Sequence, residues 1–156
     1  MKEAIRVVLV DDQELYREGN ALLLDATDDI VVVGEADTGE EALHAIAEAK
    51  PDIVLMDIRM PGMGGIDATR RIVSAHPDIR VIALTIFDLD EYAFGALDAG
   101  ASAFILKSSS PEALIRTVRI VASGEAVVEP RITRQLIDMY TRRIIPMPET
   151  DSEKEE

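Results

Sequence analysis

The sequence predicts a doubly wound α/β domain built on one five-stranded parallel sheet, in the order 2-1-3-4-5. Three observations carry that prediction. Short continuous apolar runs alternate with helically spaced ones five times along the chain, which is the pattern of repeated strand–helix units. The apolar runs are rich in branched residues and lack polar alternation, as strands covered on both faces require. Finally, 156 residues of which 47% are apolar supply one proper core and leave no room for two.

The strands are expected at 5–10, 30–35, 53–56, 81–84 and 103–106, each flanked by turn or capping residues. The first helix places Leu15, Gly19, Leu22, Leu23 and Ala26 on one face, read as the buried one. The second opens at Thr38 with Glu41 three residues on, a capping box, and closes before Pro51. The third covers 65–75, and the fourth covers 89–99 with Gly100 as its stop. The fifth starts at Ser110-Pro111 with Glu112 in its first turn. Residues 1–124 therefore form the domain. Beyond it, "EAVVEPRITRQLIDMYTRR" (125–143) carries Ile132, Leu136 and Met139 or Tyr140 at helical spacing, an appended C-terminal helix. "IIPMPETDSEKEE" (144–156) reads as an acidic linker or tail.

Composition narrows the function classes. The chain has no cysteine, which excludes disulfides and thiolate metal sites and fits a reducing compartment. "MKEAIRVVLV" is too short an apolar run for a signal peptide, and no stretch reaches the length of a membrane span, so a soluble cytoplasmic protein without a membrane partner is expected. The net charge is −14, of which the tail "ETDSEKEE" supplies −4. The remainder still repels a phosphate backbone, and the basic group in "TRRIIP" suits a solvated helix face, so direct nucleic-acid binding is not expected of this chain.

In an open α/β sheet, function gathers at the carboxyl ends of the strands. Here "VLVDD" ends in Asp11 and Asp12, "DIVLMD" in Asp57, "VIALT" in Thr85 and "FILK" in Lys107. Taken singly, each has an ordinary explanation: a helix cap, a turn hydroxyl, a solvated charge. An Asp pair, an Asp, a Thr and a Lys ending four strands at one edge are not explained that way. With right-handed crossovers the first and third strands are neighbours, so three carboxylates meet in one crevice. Such a cluster is unstable alone but suits a hard divalent cation with oxygen ligands, Mg2+ above all. Lys107 adds a point charge able to pair with a carboxylate or phosphate, and Thr85 a hydroxyl donor.

At these residues the sequence closely resembles a response-regulator receiver domain of bacterial two-component systems, a flavodoxin-like fold. The resemblance spans about residues 4 to 124 and rests on the "DD" pair, "DIVLMDIRMPGMGG", "ALT" and "GASAFILK", in order and spacing. "MDIRMPGMGGIDATRRI" and "ASGEAVVEPRITRQLI" are more narrowly similar to the NarL/FixJ subfamily of transcriptional regulators.

The resemblance implies roles. Asp57 would be the nucleophile that takes a phosphoryl group from the phosphohistidine of a sensor histidine kinase, as carboxylate nucleophiles do elsewhere. Asp11, Asp12 and Asp57, with the backbone carbonyl of Arg59, would hold Mg2+. The metal and Lys107 would stabilise the phosphoryl oxygens, and Thr85 would close over them. Phe104 stands where the family has its switch aromatic, so that movement of Thr85 would let Phe104 turn inward and reshape the surface of the fourth helix, fifth strand and fifth helix. A plain core aromatic is the competing reading of Phe104. The chain would be a signalling phosphoacceptor rather than an enzyme, a homodimer on phosphorylation. It would meet DNA only through a C-terminal helix-turn-helix domain that is not present in this chain. The end at "SEKEE" suits a cut within a linker, whereas a stand-alone receiver would act by protein contact.

Three departures from the family pattern stand out. Gly64 replaces the expected capping Asp, a small loss because glycine is an acceptable cap. Ser108 replaces the proline that often follows the lysine, which leaves the isomer of that peptide open, since a non-proline cis bond costs about 3 kcal/mol. Arg59 and Phe87, two residues beyond Asp57 and Thr85, would hinder attacking water and lengthen the life of the phosphorylated state. Rival readings fit less well. An aspartyl phosphohydrolase would want an acid where Arg59 stands, and a flavin-binding module would want a Gly- or hydroxyl-rich loop instead of "DDQELYREG". An interaction module that is never phosphorylated would not need every one of these polar residues.

Overall fold

The computed structural model describes residues 4–86, 91–124 and 127–128; for 91–94 and 127–128 only the backbone is considered. Chain order is β1 (Ile5–Val10), α1 (Glu14–Asp25), β2 (Ile30–Ala36), α2 (Gly39–Ala49), β3 (Ile53–Asp57), α3 (Gly65–Ala75), β4 (Arg80–Thr85), α4 (Glu91–Asp98), β5 (Ala103–Leu106), α5 (Pro111–Ala122) and the short β6 (Val127–Val128). The first five strands lie parallel in the expected order 2-1-3-4-5. β6 extends that sheet by pairing Val127 and Val128 in parallel with Ala103 and Phe104. It falls in the 125–143 segment; the helix expected in that segment, the 144–156 tail and Phe87 lie outside the described residues.

The apolar runs fill two faces, as period-two side chains must. Val7, Leu9, Leu55, Leu84 and Ile105 point to the side covered by Leu24 of α1 and by Leu114, Val118 and Val121 of α5. Val8, Val10, Val54, Met56 and Val81 point to the side covered by Ala42 and Ile46 of α2 and by Ala68 and Ile72 of α3. Phe104 belongs to a third cluster with Ile58, Ala83 and Leu106, closed by Ala96 of α4.

The helix boundaries follow their caps. Thr38 Oγ1 accepts from the Glu41 amide at 3.0 Å, and the Glu41 carboxylate reaches back to accept from the Asp37 amide at 3.3 Å, one residue before the place an ideal capping box would use. Ser110 Oγ accepts from the Ala113 amide at 3.1 Å, with Pro111 at the first helical position. Gly64 caps α3 through its backbone alone.

The expectation for α1 needs correction. Leu15 is 86% exposed and Leu22 76%, Gly19 and Ala26 are also exposed, and only Leu23 of the expected face is half-buried. The helix packs instead through the buried Leu24, with Tyr16, Asn20, Ala21 and Leu23 half-buried around it. Three consecutive leucines, Leu22 to Leu24, span more than half the helix circumference, so they carry no phase. The phase comes from Tyr16, whose ring sits against the β5 end. No helix among the described residues is long and apolar enough to cross a membrane.

Candidate functional site

Strand register brings the polar termini level. Val10 pairs with Met56, Asp57 with Leu84, and Thr85 with Leu106, so Asp11, Asp57, Thr85 and Lys107 leave the sheet at one edge. They border a crevice of about 160 Å³ lined by Asp12, Gln13, Asp57, Arg59, Thr85, Ile86 and Lys107. Asp11, Asp57 and Thr85 are buried, whereas Asp12 is exposed at the mouth. Ligand oxygens of Asp11, Asp12 and Asp57 all lie within 4.8 Å of one another.

Lys107 contacts the two buried acids of this cluster. Lys107 Nζ stands 2.7 Å from Asp11 Oδ2 and 3.4 Å from Asp57 Oδ2, with its side chain 6% exposed. It donates to Gln13 Oε1 at 2.6 Å and lies 4.7 Å from the centre of the Tyr16 ring. Backbone amides hold the carboxylates: Gln13 donates to Asp11 Oδ1 at 2.8 Å and Arg59 to Asp57 Oδ1 at 3.0 Å. Burial pushes the Asp57 carboxyl up to about 7. The Arg59 amide and the Lys107 charge oppose that rise, and the Asp11 charge adds to it.

The residues fit a hard divalent cation. The donors are all carboxylate oxygens, and Asp11 Oδ2, although buried, makes no aligned hydrogen bond, only the charge contact with Lys107. A buried acceptor without an aligned donor is costly unless a cation completes it.

The backbone beside Asp57 leaves no slack. A Cβ at Gly65 would stand 2.1 Å from the Asp57 carbonyl oxygen and 2.5 Å from Ile58 Cα, so only glycine lets α3 start this close behind the strand end. No peptide bond among the described residues is cis, so the bond after Lys107 is trans. Lys107 N donates to the Thr85 carbonyl at 2.6 Å, tying the two strand ends together. Phe104 is already wholly buried, so in this conformation it has no inward turn left to make.

The expected residues Asp11, Asp12, Asp57, Thr85 and Lys107 come together at one edge, whereas the contacts of Gln13 and Tyr16 with Lys107 were not anticipated from the sequence. The signal available was their place, one and four residues after the Asp pair at the entry of α1.

Residues 7–119 match the family model of the response regulator receiver domain. The response regulator GacA of Pseudomonas viridiflava is 42% identical over 132 residues, covering 85% of this chain and 62% of that protein. The transcriptional regulatory protein DegU of Brevibacillus brevis is 38% identical over 148 residues, covering 95% of this chain and again 62% of the relative. The chain thus spans less than two thirds of the length of these relatives. Among solved structures, a LuxR-family two-component response regulator from Aurantimonas sp. SI85-9A1 is similar with a TM-score of 0.82 at 34% identity, covering 89% of this chain and 99% of that one. The signal receiver domain of NarL from Mycobacterium tuberculosis gives a TM-score of 0.75 at 37% identity, covering 79% of this chain and 99% of that one. Motifs, strand order and these likenesses agree, and the chain belongs to the response-regulator receiver family, in its NarL/FixJ-type, LuxR-family branch.

Proposed function

We propose that this receiver domain, a signalling module rather than an enzyme, is phosphorylated on Asp57 by a sensor histidine kinase in a Mg2+-dependent step. The observation that carries the reading is the buried Asp57 carboxylate, set within 4.8 Å of two further carboxylates with the Lys107 ammonium 3.4 Å away. Asp11, Asp12 and Asp57 would hold the metal with the Arg59 carbonyl. Bound Mg2+ would supply positive charge for the carboxylates and for the phosphoryl oxygens.

The chain's own residues do the rest. An Asp57 oxygen attacks phosphorus as the bond from phosphorus to the donor's imidazole nitrogen breaks, and that nitrogen keeps the electron pair. Lys107 offers its ammonium to a phosphoryl oxygen, where fixed charge in a confined site counts for most. Thr85, buried at the neighbouring strand end, would donate its hydroxyl to the same group. Arg59 flanks the crevice and would hinder water, prolonging the phosphorylated state; slower decay should be lost in Arg59→Ala.

Output would pass through Thr85 and Phe104. Closure of Thr85 would favour the buried Phe104 position seen here and so bias α4, β5 and α5, a population shift driven by local charge. Homodimerisation on phosphorylation and DNA contact through a helix-turn-helix domain joined by the acidic linker are part of the same proposal. They are supported by the transcriptional relatives, which are longer than this chain. A cytoplasmic location follows from a kinase–regulator pairing.

Intact-mass measurement after exposure to acetyl phosphate tests the reading. A single labile adduct that requires Mg2+ and disappears in Asp57→Asn is expected. No adduct in the wild type would favour an interaction module that is never phosphorylated, and an adduct that survives in the variant would mean another carboxylate is the acceptor.

A further inference from the structure

We propose that Gln13 is a positioning residue for Lys107: its side-chain oxygen is withheld from capping α1 and used to hold the ammonium on the Asp11 side of the site, in looser contact with Asp57. The inference rests on the phosphoacceptor reading of Asp57. Gln13 occupies the N-cap of α1 in extended backbone (φ −91, ψ 98), yet its side chain makes no cap hydrogen bond. The caps of α2 and α5, Thr38 and Ser110, do bond their helices. Glutamine is not among the preferred caps, so a residue chosen for stability would have been Ser, Thr, Asp or Asn.

What Gln13 does instead is reach across the site. Its Oε1 accepts from Lys107 Nζ at 2.6 Å, the shortest of the ammonium's contacts. Asp11 Oδ2 lies at 2.7 Å, Asp57 Oδ2 at 3.4 Å, and the Tyr16 ring closes one side at 4.7 Å. An ammonium has three protons. Gln13 takes one of them, Asp11 makes a charge contact at 2.7 Å, and Asp57 is the most distant of the three oxygens. The Gln13 amide also donates to Asp11 Oδ1, so one residue fixes both the ammonium and the acid beside it.

Two consequences bear on transfer. A neutral amide oxygen holds the cation without adding a fourth negative charge to a cluster that already has three. Without it, the remaining strong acceptors of the ammonium are Asp11 and Asp57. Lys107, already 3.4 Å from Asp57 Oδ2, would then close further on that carboxylate and fill the space where phosphoryl oxygens must enter. Small misplacements of a positioned group are expensive in rate.

The test uses Gln13→Ser and Gln13→Glu in the full chain. Three quantities are read: the thermal midpoint, the rate of phosphorylation by acetyl phosphate at saturating Mg2+, and the 15N signal of the Lys107 ammonium without Mg2+ or phosphate. Gln13→Ser supplies the missing cap and should raise the midpoint by about 3 °C. It should also slow phosphorylation about tenfold and broaden the ammonium signal through fast proton exchange. Gln13→Glu keeps an oxygen within reach and should keep the signal sharp. Opposite movement of stability and rate is what a purely structural role would not produce. Gln13→Ser with wild-type rate and a sharp signal overturns the proposal, and so does a fall in rate matched by a fall in midpoint. If the wild type takes no phosphoryl group, the phosphoacceptor reading and the role built on it fail together; the ammonium signal then still reports whether the Gln13 contact exists.

Discussion

The two edges of the sheet use the same residue types to opposite effect. At the amino edge, acids meet matched partners. Arg119 holds Asp29 in a two-pronged contact at 2.9 and 3.0 Å, and Asp52 accepts from the Arg6 amide at 2.9 Å. At the carboxyl edge three carboxylates crowd together, and the two buried ones, Asp11 and Asp57, share the Lys107 ammonium. Matched and exposed, an acid is scaffolding worth little net energy. Crowded and buried, it is held in a state that only a further cation relieves. The difference lies in stoichiometry and burial rather than in residue type.

Removing the shared cation should have the largest effect. Lys107→Met leaves three carboxylates without their ammonium, and in metal-free buffer at pH 8 it should cost about 3 kcal/mol. Millimolar Mg2+ should restore most of it in denaturant titrations. Equal losses with and without Mg2+ would show that the lysine acts by packing instead.

Removing one of the three negative charges should have the reverse sign and a smaller size. The folded chain holds the Asp57 proton up to about 7, against an ordinary value of 3.8. Between those values the folded state binds the extra proton, so stability falls as pH rises across the window, and the loss is complete above it. Asp57→Asn should therefore be more stable than the wild type by about 2 kcal/mol at pH 8 without metal. The two should converge as pH drops toward 4. An unchanged difference from pH 4 to 8 would mean that the cluster does not strain the fold.

The smallest effect belongs to the amino edge. Arg119→Ala should leave acetyl phosphate labelling untouched and lower the thermal midpoint slightly, by an amount that shrinks with added salt. A slower labelling rate would couple the two edges and end the distinction drawn between them.

Much of this was legible in the chain. Strands buried on both faces announce themselves as unbroken branched runs, and the acids, threonine and lysine fall immediately after them. Glycine at 100 and proline at 111 marked helix ends for backbone reasons that no tertiary context overrides. The first helix was not legible, because Leu15 and Leu22 are apolar yet exposed, and hydrophobicity alone cannot say which of two overlapping stripes meets the sheet. Gln13 was hidden for another reason: its role depends on Lys107, a residue distant in sequence. The sixth strand was missed because two valines are too short a run to register as a period.

The strand order also sets a timetable. β1 is made first but lies between β2 and β3, so it cannot be enclosed until residue 57 has been synthesised. At that moment all three carboxylates exist, and the lysine that steadies them is 50 residues away. At ordinary translation speeds the interval is about 3–10 s. Whatever of the sheet forms before then has only water and free cations to offset those acids, and Lys107 can reach them only once β5 joins the edge. The same ammonium that would meet a phosphoryl group in the finished protein would thus first complete the charge balance of its own site.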